Sequence, residues 1–360
     1  MEKKLLLHFD PALSLNPEGK HVRDGLSTVL RTGDNLWVCC DERITIERLT
    51  LNGSGECAAH QSFKLTDFIE LPNESEVDIE GIGIAENYLW IIGSHSLKRK
   101  KPRRQDSITE QIKRLAKVKT DANRYLLARI PILLEEKTGE HMLYKEHPDP
   151  DNPEYTLQAA QLEVGENTNQ IVQMLQQDKH LKSFMKIPGK DNGFDIEGLA
   201  VSERRIFIGL RGPVLRGWAI VLEVEVEEKE RGILQLKPFA NGQLYRKHFL
   251  QLRGKGIREM RFLGNDIYLL AGPTMDLDGI IVVYRWRNVL TITEEQLVHN
   301  DELERLCEVP HGYGKDSGKD KAEGLAIFDE THVLVVFDSP IDARKVGENS
   351  VTADLYNVIR

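Results

Sequence analysis

Ten residues at equivalent places in five repeated segments have the types and spacing that could do chemistry. Each segment starts with an apolar residue followed by a marker residue, and the five markers are Ser27, Glu80, Glu197, Arg258 and Glu323. A second position lies 14 or 15 residues after each marker and carries Asp41, His95, Arg211, Gly272 or Asp338. Carboxylates, arginines and an imidazole brought together can hold a cation, bind an anion or transfer protons.

Three glutamates at equivalent positions favour a divalent cation, Ca²⁺ or Mg²⁺, held by Glu80, Glu197 and Glu323. Like charges in a partly desolvated site repel each other, so the alternative is neutralisation of these carboxylates by Arg211 and Arg258. A third interpretation gives the glutamates only hydrogen bonds to the backbone of neighbouring strands. The sequence leaves all three open. It indicates no organic cofactor.

The other positions predict how protons and an anionic ligand would be handled. The residues expected to act as catalytic acid or base are His95, Asp41 and Asp338. The residues expected to bind the substrate are Arg211, Arg258 and Ser27. Arg211 lies in the segment GLRGPVLRGWA, which is typical either of an anion clamp or of a turn with solvated arginines. We therefore expect a small anionic ligand.

A basic run, KRKKPRR at 98–104, follows His95 closely. Such a run is typical of a solvated loop, and beside a binding site it could recruit an anionic ligand. The chain as a whole has 48 basic and 57 acidic side chains and a formal net charge of −9. This balance argues against a dedicated nucleic-acid-binding protein.

The elements that must position these residues are strands. The five segments are LSTVLRTGDNLWVCCD from Leu26, IEGIGIAENYLWIIGSH from Ile79, IEGLAVSERRIFIGLR from Ile196, IREMRFLGNDIYLLAG from Ile257 and AEGLAIFDETHVLVVFD from Ala322. Each reads as two apolar strands joined by a turn (GDN, AEN, SER, GND or DET), because residues that favour hairpins separate runs of alternating apolar residues. Outer strands are predicted in ERITIERL, RYLLARIPIL, GWAIVLEVEV and GIIVVYRW.

The spacing of the markers predicts a five-bladed β-propeller, all-β, as a single domain over 1–360. Four of the five intervals around the ring suit one blade. The fifth contains helical patterns at 108–118 and at about 155–185, so 97–190 is predicted to contain a loop and a helical insertion. A sixth blade is the alternative. The segment KLLLHF is expected to pair beside DLYNVIR and close the ring. The markers and the second positions would then meet at one mouth of the central channel.

Composition places this domain in a broad class. The chain has 360 residues, 40% of them hydrophobic and 29% charged, which is ordinary for a globular protein. No apolar run approaches the length of a membrane span, and no secretory signal is recognised, so no membrane partner is expected. The four cysteines lack metal or redox spacing and are expected to be reduced, which indicates the cytoplasm.

A family resemblance is carried by the segments FDIEGLAV, DIEGIGI with IIGSHS, AEGLAIF and above all LRGPVLRGWA. Together these segments resemble the bacterial domain of unknown function 3616, over most of the chain. More distantly, the EG-x-A units resemble the esterase-like propeller family related to phytases. This second resemblance implies calcium and phosphate-ester chemistry, and Ser27 and Arg258 depart from it because glutamate would otherwise stand at both markers.

The function expected from these observations is a metal-assisted hydrolase that acts on a phosphate-bearing or other anionic substrate in the propeller funnel. The alternative is a non-catalytic propeller that binds a small ligand, or a protein partner through the helical insertion.

Overall fold

The computed structural model describes residues 3–16 and 18–358, and these form an all-β protein, as predicted. The α-helices are short: α1 Pro11–Ser14, α2 Ile108–Leu115 and α3 Gln170–Leu175. Turns of 3₁₀ helix occur at Val22–Asp24, Leu65–Asp67, Ala122–Tyr125, Gly189–Asp191, Val289–Thr291, Gly314–Asp316 and Asp342–Arg344. Among the described residues, no helix has both the length and the apolar character needed to cross a membrane.

The strands fall into groups that follow the five repeated segments. The first two groups are β1 Lys3–His8, β2 Leu26–Thr32, β3 Asn35–Cys40, β4 Thr45–Leu51 and β5 Glu56–Lys64, then β6 Ile79–Ala85, β7 Tyr88–Gly93, β8 Lys98–Arg99, β9 Val118–Lys119, β10 Leu127–Glu135, β11 Glu140–Leu143, β12 Glu146–Pro148, β13 Thr156–Gln158 and β14 Ala160–Leu162. The third and fourth groups are β15 Asp195–Ser202, β16 Arg205–Gly212, β17 Trp218–Glu230, β18 Ile233–Lys237 and β19 Arg246–Gln251, then β20 Gly256–Leu263, β21 Asp266–Gly272, β22 Ile281–Trp286, β23 Gln296–Val298 and β24 Glu304–Val309. The last group is β25 Lys321–Ile327, β26 His332–Asp338, β27 Lys345–Val346 and β28 Ser350–Asn357.

Each repeated segment forms the antiparallel hairpin that its sequence predicts. These hairpins are β2–β3, β6–β7, β15–β16, β20–β21 and β25–β26. In four of them the turn has two residues, and the first of these has a positive φ: Gly33, Glu86, Glu203 and Gly264. Such turns match the twist of the paired strands, and glycine adopts this φ without strain. The predicted outer strands are β4, β10, β17 and β22, each paired with the second strand of its hairpin.

Apolar clusters fill the space between successive sheets. Trp37 and Ile91 belong to the cluster between the first and second groups, and Ile92 and Leu199 to the cluster between the second and third. Further clusters join the third group to the fourth, the fourth to the fifth, and the fifth to the first. The first strands contact one another in the same cyclic order, β2, β6, β15, β20, β25 and again β2. The sheets are therefore arranged around a common centre, as in propeller-like proteins.

The strand β1 closes this arrangement. It pairs antiparallel with β28, from Lys3 opposite Leu355 to His8 opposite Ser350, and parallel with β5 at Leu6 and Leu7. This is the pairing that KLLLHF was expected to make, and Ile359 and Arg360 of DLYNVIR lie outside the described residues. Because both edges of β1 are paired, it covers two strand edges that would otherwise be free.

A buried polar network crosses the centre. Glu259 on β20 accepts hydrogen bonds from Thr28 on β2 and from Arg261, and Arg261 also donates to the carbonyl oxygens of Val29 and Leu199. Glycines such as Gly81 and Gly324 follow the markers of other first strands, where a Cβ atom would lie within 3.0 Å of a neighbouring strand. The centre is therefore filled by side chains and close backbone contacts.

The segment 97–190 contains helices, but less helix than the sequence suggested. The helix α2 matches the predicted pattern at 108–118, whereas α3 covers only six residues of the pattern at 155–185. Asn169 caps α3, and Asp178 accepts hydrogen bonds from the amides of His180 and Leu181, which starts a new turn. The apolar periodicity arose because Ile171 and Leu181 are buried in one core cluster.

Candidate functional site

A β-bulge at every marker builds the candidate site. The pairing of each hairpin skips one residue of the first strand, and the skipped residues are Ser27, Glu80, Glu197, Arg258 and Glu323. A bulge leaves one residue out of the ladder and redirects its side chain. The same backbone irregularity at all five markers therefore releases these side chains from the regular alternation of the sheet.

The five predicted carboxylates share one cavity of about 1030 Å³, and Arg211 lines it too. The carboxylates are Asp41, Glu80, Glu197, Glu323 and Asp338. They come from three first strands and from the ends of two second strands, as expected from the repeat. The cavity, called the funnel below, is the largest concentration of predicted site residues in the described structure.

Arginines neutralise two of the glutamates that were predicted to hold a metal. Arg211 forms ion pairs with both Asp195 and Glu197. The Nη1 atom of Arg258 lies 2.6 Å from Oε1 of Glu323 and 3.6 Å from Oε2 of Glu197. Burial raises the pKa of Glu197, and Arg211 and Arg258 oppose that rise. Of the interpretations left open, this arrangement corresponds to neutralisation by arginine.

The predicted metal ligands do not fit a divalent cation as they are arranged. Glu197 and Glu323 direct oxygens towards guanidinium groups, and a cation at the same oxygens would be repelled by these charges. Among residues 3–16 and 18–358, no group of three or more His, Cys, Asp or Glu side chains is placed to hold a metal ion together. Glu80 alone of the three has no arginine partner there.

Besides Glu197, three funnel carboxyls have raised pKa values. Burial raises the pKa of Glu80 well above its ordinary value, and Asp78 and Glu197 add to the rise. Burial likewise raises the pKa of Asp41. The pKa of Asp338 is raised from 3.8 to about 6 by burial and by the charge of Glu323. Carboxyls in this condition can hold or exchange protons near neutral pH.

Cations inside the funnel offer contacts for an anion. Lys190 lines the cavity, and within the described part of the chain it has no ion-pair partner. Burial and Arg211 lower its pKa, but Glu323, Glu80 and Asp41 raise it more, so the net shift is upward. Lys190 is therefore charged, unpaired and directed into the same space as the protonatable carboxyls.

His95 lies outside the funnel, so its predicted place at the mouth is wrong. Its φ is +52°, a left-handed backbone conformation just after β7, and its side chain is buried. Its Nδ1 is 2.8 Å from the carbonyl oxygen of Gly93, and the amide nitrogen of Asn169 lies 2.8 Å from its Nε2. Burial lowers the pKa of His95 to about 4. The imidazole is a neutral core group that joins the end of β7 to the residue that caps α3.

Like His95, two of the residues predicted to bind the substrate do not line the funnel. Ser27 is buried, and its hydroxyl donates to the carbonyl oxygen of Ile79 at 2.7 Å on the neighbouring first strand. Arg258 lies behind the cavity, where it pairs with Glu323 and donates to the carbonyl oxygen of Pro273. The short Ser27 side chain therefore bonds the adjacent backbone and does not line the cavity. Both residues support the site from behind.

Several residues that line the funnel were not predicted from the sequence. Asp78 and Asp195 each precede a marker by two positions within the repeated motif DIEG, which was a usable signal. Asp195 pairs with Arg211, and Asp78 pairs with Arg124 at 2.6 Å. Arg124 and Lys190 come from 3₁₀ turns outside the repeat, so no periodicity marks them.

Comparison with solved structures found distant likenesses. Structural likeness was found to an aldose sugar dehydrogenase from Streptomyces coelicolor in its PQQ-bound form (10% identity, 98% of each chain, TM-score 0.38) and to a streptogramin B lyase (9% identity, 98% of each chain, TM-score 0.37). A third is the phage phi92 endosialidase, at 7% identity, with 100% of this chain and 69% of that chain covered and a TM-score of 0.38. At this distance no residue role is transferred from them. No curated protein matches the chain in sequence.

The family comparison is more specific. A family described as a protein of unknown function (DUF3616) matches residues 25–354, which includes all five repeated hairpins. The family resemblance carried by the DIEG and LRGPVLRGWA segments is thereby confirmed. The chain belongs to this family of proteins of unknown function.

Proposed function

We propose that this protein is a five-bladed β-propeller that hydrolyses, in its funnel, a small molecule carrying a phosphate or another anionic group. The number of blades is supported by five apolar clusters between successive sheets and by the cyclic contacts of five first strands. The observation that carries the function is that one cavity is lined both by carboxyls with raised pKa values and by an unpaired cation.

The anionic group of the substrate would bind Lys190 and Arg211. Both side chains line the funnel, and the buried Nε of Arg211 has no hydrogen-bond partner in the described structure. A phosphate or carboxylate can accept a hydrogen bond from each of these cations. This contact would also offset the acidic charge that surrounds Lys190.

Asp338 and Glu80 would then divide the proton transfers. With a pKa of about 6, the Asp338 carboxylate can take a proton from the attacking water at neutral pH. Glu80 holds its proton to a higher pH than an ordinary glutamate and can give it to the oxygen of the leaving group. Water adds to the ester centre as the bond to the leaving oxygen breaks, and solvent exchange restores both carboxyls. No metal takes part in these steps.

The experiment is a hydrolysis assay on phosphate monoesters, phosphate diesters and carboxylic esters that bear an anionic group, run with EDTA and with added Ca²⁺ or Mg²⁺. We expect turnover in EDTA and a loss of at least about a hundredfold in kcat for Glu80→Gln and for Asp338→Asn. Asp342→Asn, at an exposed aspartate on the same blade, is the matched control. Turnover that depends on an added cation would refute the metal-free mechanism and return the glutamates to a ligand role.

A second candidate is a propeller that binds the same class of ligand without turnover. The specific observation in its favour is that Arg211 and Arg258 neutralise Glu197 and Glu323, as in a rigid recognition site. Calorimetric binding of an anionic ligand that is lost in Lys190→Met, with no product formed in any assay, would favour this candidate. For both candidate functions we place the protein in the cytoplasm, which is supported by four free cysteines, three of them buried.

A further inference from the structure

An insertion with many positive charges and an exposed apolar helix face lies beside the funnel. It comprises residues 98–119, called the basic insertion below, in which β8 pairs with β9 and α2 lies between them. This stretch carries ten Lys or Arg residues and two carboxylates, on a chain with a net charge of −9. Part of it lines the funnel, at residues such as Lys98, Lys100 and, at one end of α2, Leu115. The basic insertion therefore combines a position at the mouth with a charge opposite to that of the whole protein.

One face of α2 is apolar and uncovered, and it reaches the funnel mouth at Leu115. Ile108, Ile112 and Leu115 are 76%, 63% and 46% exposed, and their spacing of four and three residues puts them on one helix face. Val118 follows at 39% exposure, and α2 has no buried residue at all. An amphipathic helix normally buries its apolar face against its own protein. Here α2 lies between the paired strands β8 and β9, and that face stays exposed.

Cations surround this apolar face, and several of them have no acidic partner in the described structure. Lys98, Arg99 and Lys101 form ion pairs with acidic residues elsewhere in the chain. By contrast, Arg103 and Arg104 are exposed, and no ion pair is found for either among the described residues. Lys119 and Lys117 lower the pKa of Lys100, which reports a locally positive potential.

We propose that the basic insertion docks the protein on a bilayer surface that contains anionic lipids, with α2 lying in the interface. Isoleucine and leucine on one helix face, flanked by lysine and arginine, match a boundary that is apolar inside and negatively charged outside. A nucleic acid would use the cations and leave the three apolar side chains in water. This departs from the expectation that the protein has no membrane partner, which rested on the absence of a spanning segment.

Docking would bring the funnel mouth towards the lipid headgroups, because the basic insertion forms part of that mouth. The attachment is independent of hydrolysis in the funnel. A single helix of eight residues with exposed charges gives reversible binding, which falls with rising ionic strength.

Sedimentation with vesicles tests the proposal on the full chain. We expect binding to vesicles of phosphatidylcholine mixed with phosphatidylglycerol and none to phosphatidylcholine alone. The double variant Ile108→Ser/Ile112→Ser should weaken the binding about tenfold or more, because two apolar side chains no longer enter the interface. The matched control is Leu134→Ser/Leu297→Ser, which removes two side chains, each 56% exposed, from other surfaces and should bind as the parent protein does.

A second pair of variants tests the charge. Arg103→Ser/Arg104→Ser should weaken binding and its dependence on salt, whereas Lys137→Ser/Lys229→Ser should change neither. Far-ultraviolet circular dichroism and thermal melting would show that the variants fold, which is expected since every changed side chain is exposed. Parent protein that fails to bind the mixed vesicles at low salt overturns the proposal. So does undiminished binding by the isoleucine variant, or a preference for oligonucleotides or for a protein over vesicles.

Discussion

Removing the charge of one funnel carboxyl should stabilise the protein, and Asp338→Asn is the sharpest case. The pKa of Asp338 rises from 3.8 to about 6 on folding, because burial and Glu323 disfavour its charged form. The folded state then binds more protons than the unfolded state between these two values, so stability falls as the pH rises through that interval. The contribution of the protonated Asp338 carboxyl to the free energy of unfolding is full below pH 3.8 and lost above about pH 6.

The size of the effect follows from the shift. About two pK units at 1.36 kcal/mol each give about 3 kcal/mol of lost stability above pH 6, and this is an upper value because the funnel is open to solvent. Asparagine removes the charge and can still accept the hydrogen bond that the Ser339 hydroxyl donates to Asp338. We therefore expect Asp338→Asn to gain up to about 3 kcal/mol at pH 8 and about half of that at pH 5.

Urea denaturation of parent and variant at pH 5 and pH 8 measures both numbers. Asp342→Asn changes an exposed aspartate four residues away and should stay within about 0.5 kcal/mol of the parent at either pH. A variant that is less stable than the parent at pH 8, or a gain that does not grow with pH, would refute the assignment of a raised pKa to Asp338. It would also remove the base from the proposed hydrolytic mechanism.

Three further outcomes are expected. Arg258→Met should cost about 3–5 kcal/mol in chemical denaturation, because it leaves the largely buried Glu323 without its cation and removes one of the two arginines near Glu197. A loss below about 1 kcal/mol would contradict the pairing. Gly81→Ala would place a Cβ 2.8 Å from that of Leu199 and should lower the free energy of unfolding by about 1–3 kcal/mol, whereas Gly53→Ala, with open space around it, should be nearly neutral by the same measurement. In an NMR titration, the His95 ring, whose pKa is lowered to about 4, should stay neutral at pH 6. The free energy of unfolding should fall as the pH drops from 6.5 towards 4, because the unfolded chain then binds a proton that the buried ring does not. Protonation of the folded protein near pH 6.5 would show that the ring is not buried.

The sequence predicted the strands and the convergence of the carboxylates because both follow from a local repeat. Alternating apolar residues and two-residue turns place Glu80, Glu197 and Glu323 at equivalent points of their hairpins, and cyclic packing of the hairpins then brings them together. The bulge that redirects each marker is also a local feature of the hairpin. Nothing beyond the repeat was needed for this part of the site.

The pairing of charges and the orientation of the side chains could not be predicted from the sequence in the same way. Arg124 and Lys190 enter the funnel from turns whose path depends on tertiary packing. His95 was misplaced because its left-handed backbone conformation, which turns the ring into the core, leaves no trace in the apolar pattern. The choice between metal binding and neutralisation needed interatomic distances, since Arg258 and Glu323 are 65 residues apart.

The pairing of β1 with β28 has a consequence for synthesis on the ribosome. His8 and Ser350, which form a hydrogen bond in that pairing, are separated by 342 positions, so β1 leaves the ribosome long before its partner exists. Until then the first and last sheets each have an unpaired strand edge, with which strands of neighbouring chains could pair. Nascent chains stalled after the fourth hairpin should therefore be the form most dependent on chaperones, and a circular permutant that fuses β28 directly to β1 should acquire its closed shape with less delay.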